Sequence, residues 1–396
     1  MLAAGRVSVS SRTRRVVGIA VEGCRVAQAP FFWPYPPHCA IHGASDRRQL
    51  GPHVTATHCY TLPHGDGTRV VADVYGGPEV LSMEKQMLPP EPEPDEVVLK
   101  VAAAAVNPAD TYIREGKYKY LPETFPFTPG IEGSGTVLAR GANVKGIDIG
   151  DHCLFFGHHG QQSGSQATFC TAAACVCHKI PDSFDLEVAA AAAVAYWTAF
   201  RALQENLPNP VTETDMVFIH GASGAVGLAC LQTAKAMGAS SVICSAGTRA
   251  GSALLYQEGA SLVLDHNDED HMQELMDHTG GKGVNVVVEM LSNVNLGADL
   301  KVLSPRGRVA IVGSRGSVVV DPRDLMLCEG SIHGVYLWGA TRAERERAME
   351  FLLRGVASGV LRPRIGRRYP LSEAAAAHQE VISRTLNIKG KILLIP

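Results

Sequence analysis

The chain has 396 residues, 46% hydrophobic and 19% charged, a balance that suits a soluble globular protein of roughly two domains with full cores. A formal net charge of −3 supplies no global attraction to nucleic acid or to anionic membranes. The longest apolar run, Val188 to Phe200, falls short of the roughly 20 residues that cross a bilayer and ends in Arg201, so it reads as a buried helix.

Residues 1 to about 60 differ in character from the rest. They hold seven arginines against only Glu22 and Asp46, then the proline-rich Phe31 to Pro37, with no sustained period, and read as a mostly disordered extension. The Arg- and Ser-rich, acid-poor start is compatible with a mitochondrial transit peptide over residues 1 to about 25, with a non-functional tail, or with a wrongly chosen start codon. The expected compartment is therefore cytoplasmic, and mitochondrial on the transit-peptide alternative. The ten cysteines are irregularly spaced, and the closest group, Cys170, Cys175 and Cys177, lacks the paired C-x-x-C of structural zinc sites. They read as buried free thiols.

From Arg69 the pattern is one of short strands and turns, which predicts a small β-rich domain running to about Pro181, with a helix from Asp182 to Leu203 leading out of it. Met216 to Ala239 then reads as strand, glycine-rich turn and helix. Met216 to Ile219 is short and apolar, Gly221, Gly224 and Gly227 follow, and Leu228, Leu231, Ala234 and Met237 recur at helical spacing. Such a turn needs glycine to bend tightly, to let a pyrophosphate approach the backbone N–H groups, and to pack helix against strand; here Ala222 takes the first place of G-x-G-x-x-G.

Strands at Ser241 to Gly247, Ser261 to His266, Val284 to Leu291, Gly307 to Gly313 and His333 to Gly339 alternate with helices at Arg249 to Glu258, Asp268 to His278 and from Asn293. Regular alternation implies a doubly wound parallel α/β sheet with its ligand at the carboxyl ends of the strands. The tail from Arg342 holds one charged helix and a last strand, KGKILLI, able to return to the β-rich domain.

An NAD enzyme usually carries a carboxylate about 20 residues past the glycine turn, and counting from Gly227 lands on Gly247. In place of a carboxylate, the Thr248 hydroxyl, Arg249, backbone N–H groups and His266 are available to hold a 2′-phosphate, which predicts NADPH. The alternatives are an exposed helix-start arginine and a turn histidine.

The stretches YGGPEVL, VNPADTYIREGKY, HGASGAVGLACLQTAKAMGA, EMLSNVNL, VGSRG and DPRDLM, with YPL and AAAAHQ near the end, resemble the zeta-crystallin-like quinone oxidoreductases of the medium-chain dehydrogenase/reductase superfamily. The resemblance covers about residue 66 to the C-terminus. It implies a GroES-like catalytic domain at 61–184, completed by 340–396, and a Rossmann NADPH-binding domain at 185–339. It also implies a homo-oligomer, dimer or tetramer, built through the Rossmann domain. By the same resemblance the cofactor contacts fall on Tyr112, on Ser223, Gly224, Ala225 and Val226 of the glycine turn, and on Gly247, His266 and Asn295. Further contacts fall on Val312, Gly313, Ser314 and Arg315, then on Val335, Tyr336 and Leu337. Two departures stand out: Ala225 replaces a second glycine, and Thr168 stands where a glutamate is usual.

Zinc-dependent members of the superfamily use a cysteine and a histidine as ligands, and the corresponding residues here are Asn107 and Ile131, neither of which replaces them on zinc. His158 and His159 read as solvent-facing loop residues. The expectation is a site without metal. Asn107, Tyr112 and Tyr118 are then expected to orient substrate and stabilise a developing oxyanion beside the nicotinamide, although Tyr118 also reads as a core or rim aromatic. The expected activity is NADPH-dependent, zinc-independent reduction of a small-molecule quinone. The alternatives are reduction of an activated alkene in an enal or enone, and a non-catalytic NADPH-binding, crystallin-like role.

Overall fold

Strand β1 (Gly67–Ala72) and strand β2 (Leu81–Gln86) pair antiparallel as a separate hairpin that lies against the β-rich part of the molecule through Phe127 and Ala167. The computed structural model describes residues 66–396 apart from 88, 90, 120, 123, 158–162 and 385. The extension and the pair His158 and His159 lie outside the described residues.

The apolar run EVVLKVAAAAV forms the long β3 (Glu96–Val106), which must be covered on both faces and so sits inside a seven-stranded sheet. Its partners are β4 (Glu132–Arg140), β6 (Phe169–Ala173) and the last strand of the chain; β5 (His152–Phe156) and β7 (Cys177–Lys179) extend the sheet beyond β4. Between β3 and β4 runs the short helix α1 (Pro108–Arg114), with proline in its first turn and the Asp110 carboxylate accepting from the Asn107 N–H at 2.7 Å.

Helix α2 (Leu186–Phe200) begins where Asp185 caps the Glu187 and Val188 N–H groups, four residues later than the pattern predicts, and continues into a π turn at Arg201–Glu205. From Ala189 to Phe200 every residue is buried, so this apolar helix is a core helix wedged between the β-rich sheet and the second domain.

The second domain alternates as expected. It runs β8 (Met216–Ile219), α3 (Ala225–Ala236), β9 (Ser241–Ala246), α4 (Arg249–Glu258), β10 (Leu262–Asp265) and α5 (His271–His278). It continues with β11 (Val284–Glu289), α6 (Ser292–Asp299), β12 (Leu303–Ile311), α7 (Pro322–Leu327) and β13 (Ser331–Gly334). All six strands are parallel in the order β10-β9-β8-β11-β12-β13, the Rossmann order, with its reversal between β8 and β11. The expected strand His333 to Gly339 is the main misreading: β13 ends at Gly334, and Leu337–Gly339 is a 3-10 turn. The apolar residues past Gly334 leave the sheet.

Helix α8 (Arg342–Ala357) packs on α2, and β14 (Ile365–Pro370), α9 (Ala374–Ser383) and β15 (Lys391–Ile395) close the chain. Strand β15 inserts between β14 and β3, so the C-terminal residues complete the seven-stranded sheet.

Candidate cofactor and active site

The glycine turn occupies the point where the strand order reverses. Gly221 takes φ 53°, a left-handed bend that a side chain disfavours, and a Cβ on Gly227 would come within 2.5 Å of the Ala222 Cα, so glycine there lets α3 seat on the turn. Helix α3 starts from Gly224 with no side-chain cap, which leaves the first-turn N–H groups beside Ser223, Ala225 and Val226 for an anion. At Gly224 a Cβ would meet only the Gly221 carbonyl oxygen, 3.7 Å away. Ala225 is the first residue of the helix.

Around this turn lies a group of cations from three distant parts of the chain. Lys389 donates to the Thr248 Oγ1 at 3.0 Å, and the same oxygen caps α4 by accepting from the Gly251 N–H at 3.1 Å. Gly390 bridges to Gly224, which holds the tail against the turn. Loss of solvent and the charge of Arg384 hold the Lys389 ammonium below its ordinary pKa; loss of solvent and Arg315 do the same to the Arg384 guanidinium. Arg384 also sits at φ 54°, an unfavourable backbone for arginine that persists where the surroundings enforce it. Mutually repelling cations beside an uncapped helix fit a polyanionic dinucleotide. Arg249 is exposed at the start of α4, while the Gly247 Cα faces the His266 ring so closely that a Cβ would lie 2.5 Å from Nε2.

Across the cleft, α1 and the segment after it contribute the two tyrosines. The Arg315 Nε donates to the Tyr112 hydroxyl at 3.2 Å, and the Arg315 N–H to the Asn293 side chain at 2.8 Å, so a Rossmann loop is pinned to the β-rich domain. Ser314, in the same loop as Val312 and Gly313, donates to the Gly316 carbonyl at 3.0 Å. The Trp338 indole N–H donates to the Tyr118 hydroxyl at 3.2 Å, and Trp338 stacks on Phe156 with ring centroids 4.7 Å apart. Val335 donates to Ile311 and Tyr336 faces Lys119, so the stretch through Leu337 runs from the sheet edge to this aromatic wall.

Asn107 is buried, and its amide is engaged: Oδ1 accepts from Lys391 Nζ at 2.6 Å, and Nδ2 donates to Glu132 Oε2 at 3.0 Å. Ile131 is a buried alkyl group whose N–H donates to Asp110. An amide, an alkyl group and an ammonium do not make a zinc donor set.

At the switch point itself three buried ionisable groups meet. The His220 Nε2 lies 2.7 Å from Asp299 Oδ1 and 3.3 Å from Glu289 Oε2, and Glu289 Oε1 accepts from the Asn295 side chain at 3.1 Å. Among the described residues this trio is the group close enough to share a metal ion. The 2.7 Å contact is nonetheless a hydrogen-bond distance, shorter than the separation of about 3.3 Å between two ligands on one tetrahedral ion. Burial lifts both carboxyls to about 7 and holds the His220 imidazole below its ordinary value, so the trio is read as sharing protons.

The alcohol dehydrogenase GroES-like domain family matches residues 93–182, and the zinc-binding dehydrogenase family matches residues 225–354. A quinone oxidoreductase of Lama guanicoe is 40% identical over 81% of this chain and 95% of its own; the human quinone oxidoreductase is 38% identical over the same shares. The chain belongs to the quinone oxidoreductase group of the medium-chain dehydrogenases/reductases. Among solved structures of this group, the Escherichia coli quinone oxidoreductase complexed with NADPH superposes with a TM-score of 0.75 at 30% identity, covering 83% of this chain and all of that one. A mycobacterial protein complexed with NADPH gives 0.75 at 32% identity with the same coverage.

Within this family frame, sequence reasoning missed Arg384, Lys389, Trp338, Lys391, Glu132 and the His220 trio. Lys389 and Lys391 flank Gly390 in a tail that reads as an ordinary charged strand start, and no local pattern marks one as facing Thr248 and the other as buried.

Proposed function

We propose that this protein reduces quinones with NADPH and without zinc. The observation that carries the reading is the group of cations, Arg315, Arg384 and Lys389, around an uncapped glycine turn with no carboxylate at Gly247. The turn would hold the pyrophosphate, and Thr248, Lys389, Arg384, Arg249 and His266 the 2′-phosphate. Asn295 and the segments Val312 to Arg315 and Val335 to Leu337 would line the nicotinamide end. The bound cofactor supplies hydride. The residues would supply position: the Phe156 and Trp338 wall suits a flat ring, and the amide of Asn107 and the hydroxyls of Tyr112 and Tyr118 would serve the oxygen that gains charge.

The expected homo-oligomer finds support in β13, the edge strand of the Rossmann sheet, beside the exposed Val319, Met326 and Leu327. The cytoplasm is the proposed compartment.

Reduction of enals or enones is the second reading, because Trp338 orients the Tyr118 hydroxyl as an acid would need to be. Steady-state rates with NADPH against 9,10-phenanthrenequinone, 1,4-benzoquinone and a 2-alkenal, before and after dialysis against a strong chelator, test both. Quinone turnover that survives chelation is expected. Replacement of Tyr118 by Phe should lower quinone turnover modestly and alkenal turnover on the order of 100-fold. Tight NADPH binding without turnover would leave the non-catalytic role.

A further inference from the structure

Lys391 is an expensive residue to bury. It is 3% exposed at the start of β15, and its ammonium lies 2.7 Å from Glu132 Oε2, a carboxylate that is fully buried. Replacing such a pair with apolar side chains of similar size is often neutral or stabilising, so stability alone is a weak reason for it. The geometry offers another reason. Lys391, Glu132 and Asn107 form a closed ring: the ammonium donates to Asn107 Oδ1 and to Glu132 Oε2, and Asn107 Nδ2 donates to that same carboxylate oxygen. A donor on Oδ1 and an acceptor on Nδ2 fix the orientation of the amide, because a flipped amide would turn its NH₂ toward the ammonium and its oxygen toward the carboxylate. The ring is anchored on the far side by the Val194 N–H of α2, which donates to Glu132 Oε1 at 2.6 Å. One N–H of Asn107 remains for a further acceptor.

The ammonium that touches Asn107 is balanced by Glu132, so the ring orients the amide without adding net charge. Asp110, one turn away, accepts from the Asn107 and Ile131 N–H groups and so fixes the backbone that carries the amide.

We propose that Lys391 is a positioning residue for quinone reduction: with Glu132 it locks the Asn107 amide so that its remaining N–H is held for the substrate oxygen. The inference rests on the reading of Asn107 as an oxyanion donor. Removing one such donor costs on the order of 100-fold in turnover. A lysine that acts through the amide should matter in turnover rather than in cofactor binding, and should matter only while Asn107 is present.

The test compares five proteins: the parent, Lys391→Met with Glu132→Gln, Asn107→Ala, the triple combination, and Lys391→Arg. The paired neutral change avoids an orphaned buried carboxylate, and Lys391→Arg retains the charge should the neutral pair not fold. Each is assayed for kcat and KM with phenanthrenequinone, for the NADPH dissociation constant, and for thermal unfolding. The neutral pair is expected to fold, to bind NADPH within about 2-fold of the parent and to lose about 30- to 100-fold in kcat. Adding Asn107→Ala should cost little more, because both changes remove the same interaction. Lys391→Arg should regain part of the rate. Parent-like kcat in the folded neutral pair, losses that multiply when combined with Asn107→Ala, or a folded Lys391→Arg as slow as Asn107→Ala, would overturn the proposal. A parent with no quinone turnover would instead refute the functional reading, and the proposal with it.

Discussion

Glu289 and Asp299 carry a cost that depends on pH. Burial raises both to about 7 from ordinary carboxyl values of 4.5 and 3.8, so between those limits the folded protein holds protons that the unfolded chain has released. Their contribution therefore favours folding below about pH 4, fades as pH rises, and is a full penalty above about pH 7. Glu289→Gln removes one of these titrations and keeps an oxygen for the Asn295 amide. Denaturant midpoints measured from about pH 5 to about pH 8 should fall less steeply for this variant than for the parent, whereas parallel curves would show that the pair does not titrate in that window. Nothing in the sequence marks these residues: His220 looks like the end of a strand, and Glu289 and Asp299 like scattered acids. Gly247, in contrast, was legible, because a missing carboxylate at a fixed distance from a glycine turn is a local signal.

At the scale of elements, the alternation of short apolar runs and helices specified the succession of parallel strands through β12, since the central strands β8, β9 and β11 are buried on both faces. The reading failed at β13, where a strand pattern turns into a loop that serves the cleft, and at the start of α2, where a cap decides. Asp185 accepts from two first-turn N–H groups, so Asp185→Ala should cost about 1 kcal/mol in global unfolding without altering NADPH affinity. An unchanged melting point would mean that the buried alanine face alone sets where α2 begins.

At the scale of the whole molecule, the site is assembled from segments far apart in the chain. Lys391 reaches Asn107, and Lys389 reaches Thr248, because β15 returns to pair with β3 and carries the preceding loop across the glycine turn. That closure explains why two of the three clustered cations, Arg384 and Lys389, were invisible to a reading of local pattern. It also makes cofactor choice a property of the C-terminal tail as much as of the strand ends. Gly247→Asp, which sets a carboxylate against the His266 ring, should lower NADPH affinity by about 10- to 100-fold and shift preference toward NADH.

The most direct test is kcat/KM for NADPH and for NADH at saturating phenanthrenequinone, in the parent and in Lys389→Met. The parent should turn over quinone with a strong preference for NADPH, and Lys389→Met should erode that preference chiefly through NADPH while NADH efficiency stays nearly constant. Equal efficiency with the two cofactors in the parent, or an equal loss for both in the variant, would contradict the assignment of this site to an NADPH-dependent quinone reductase.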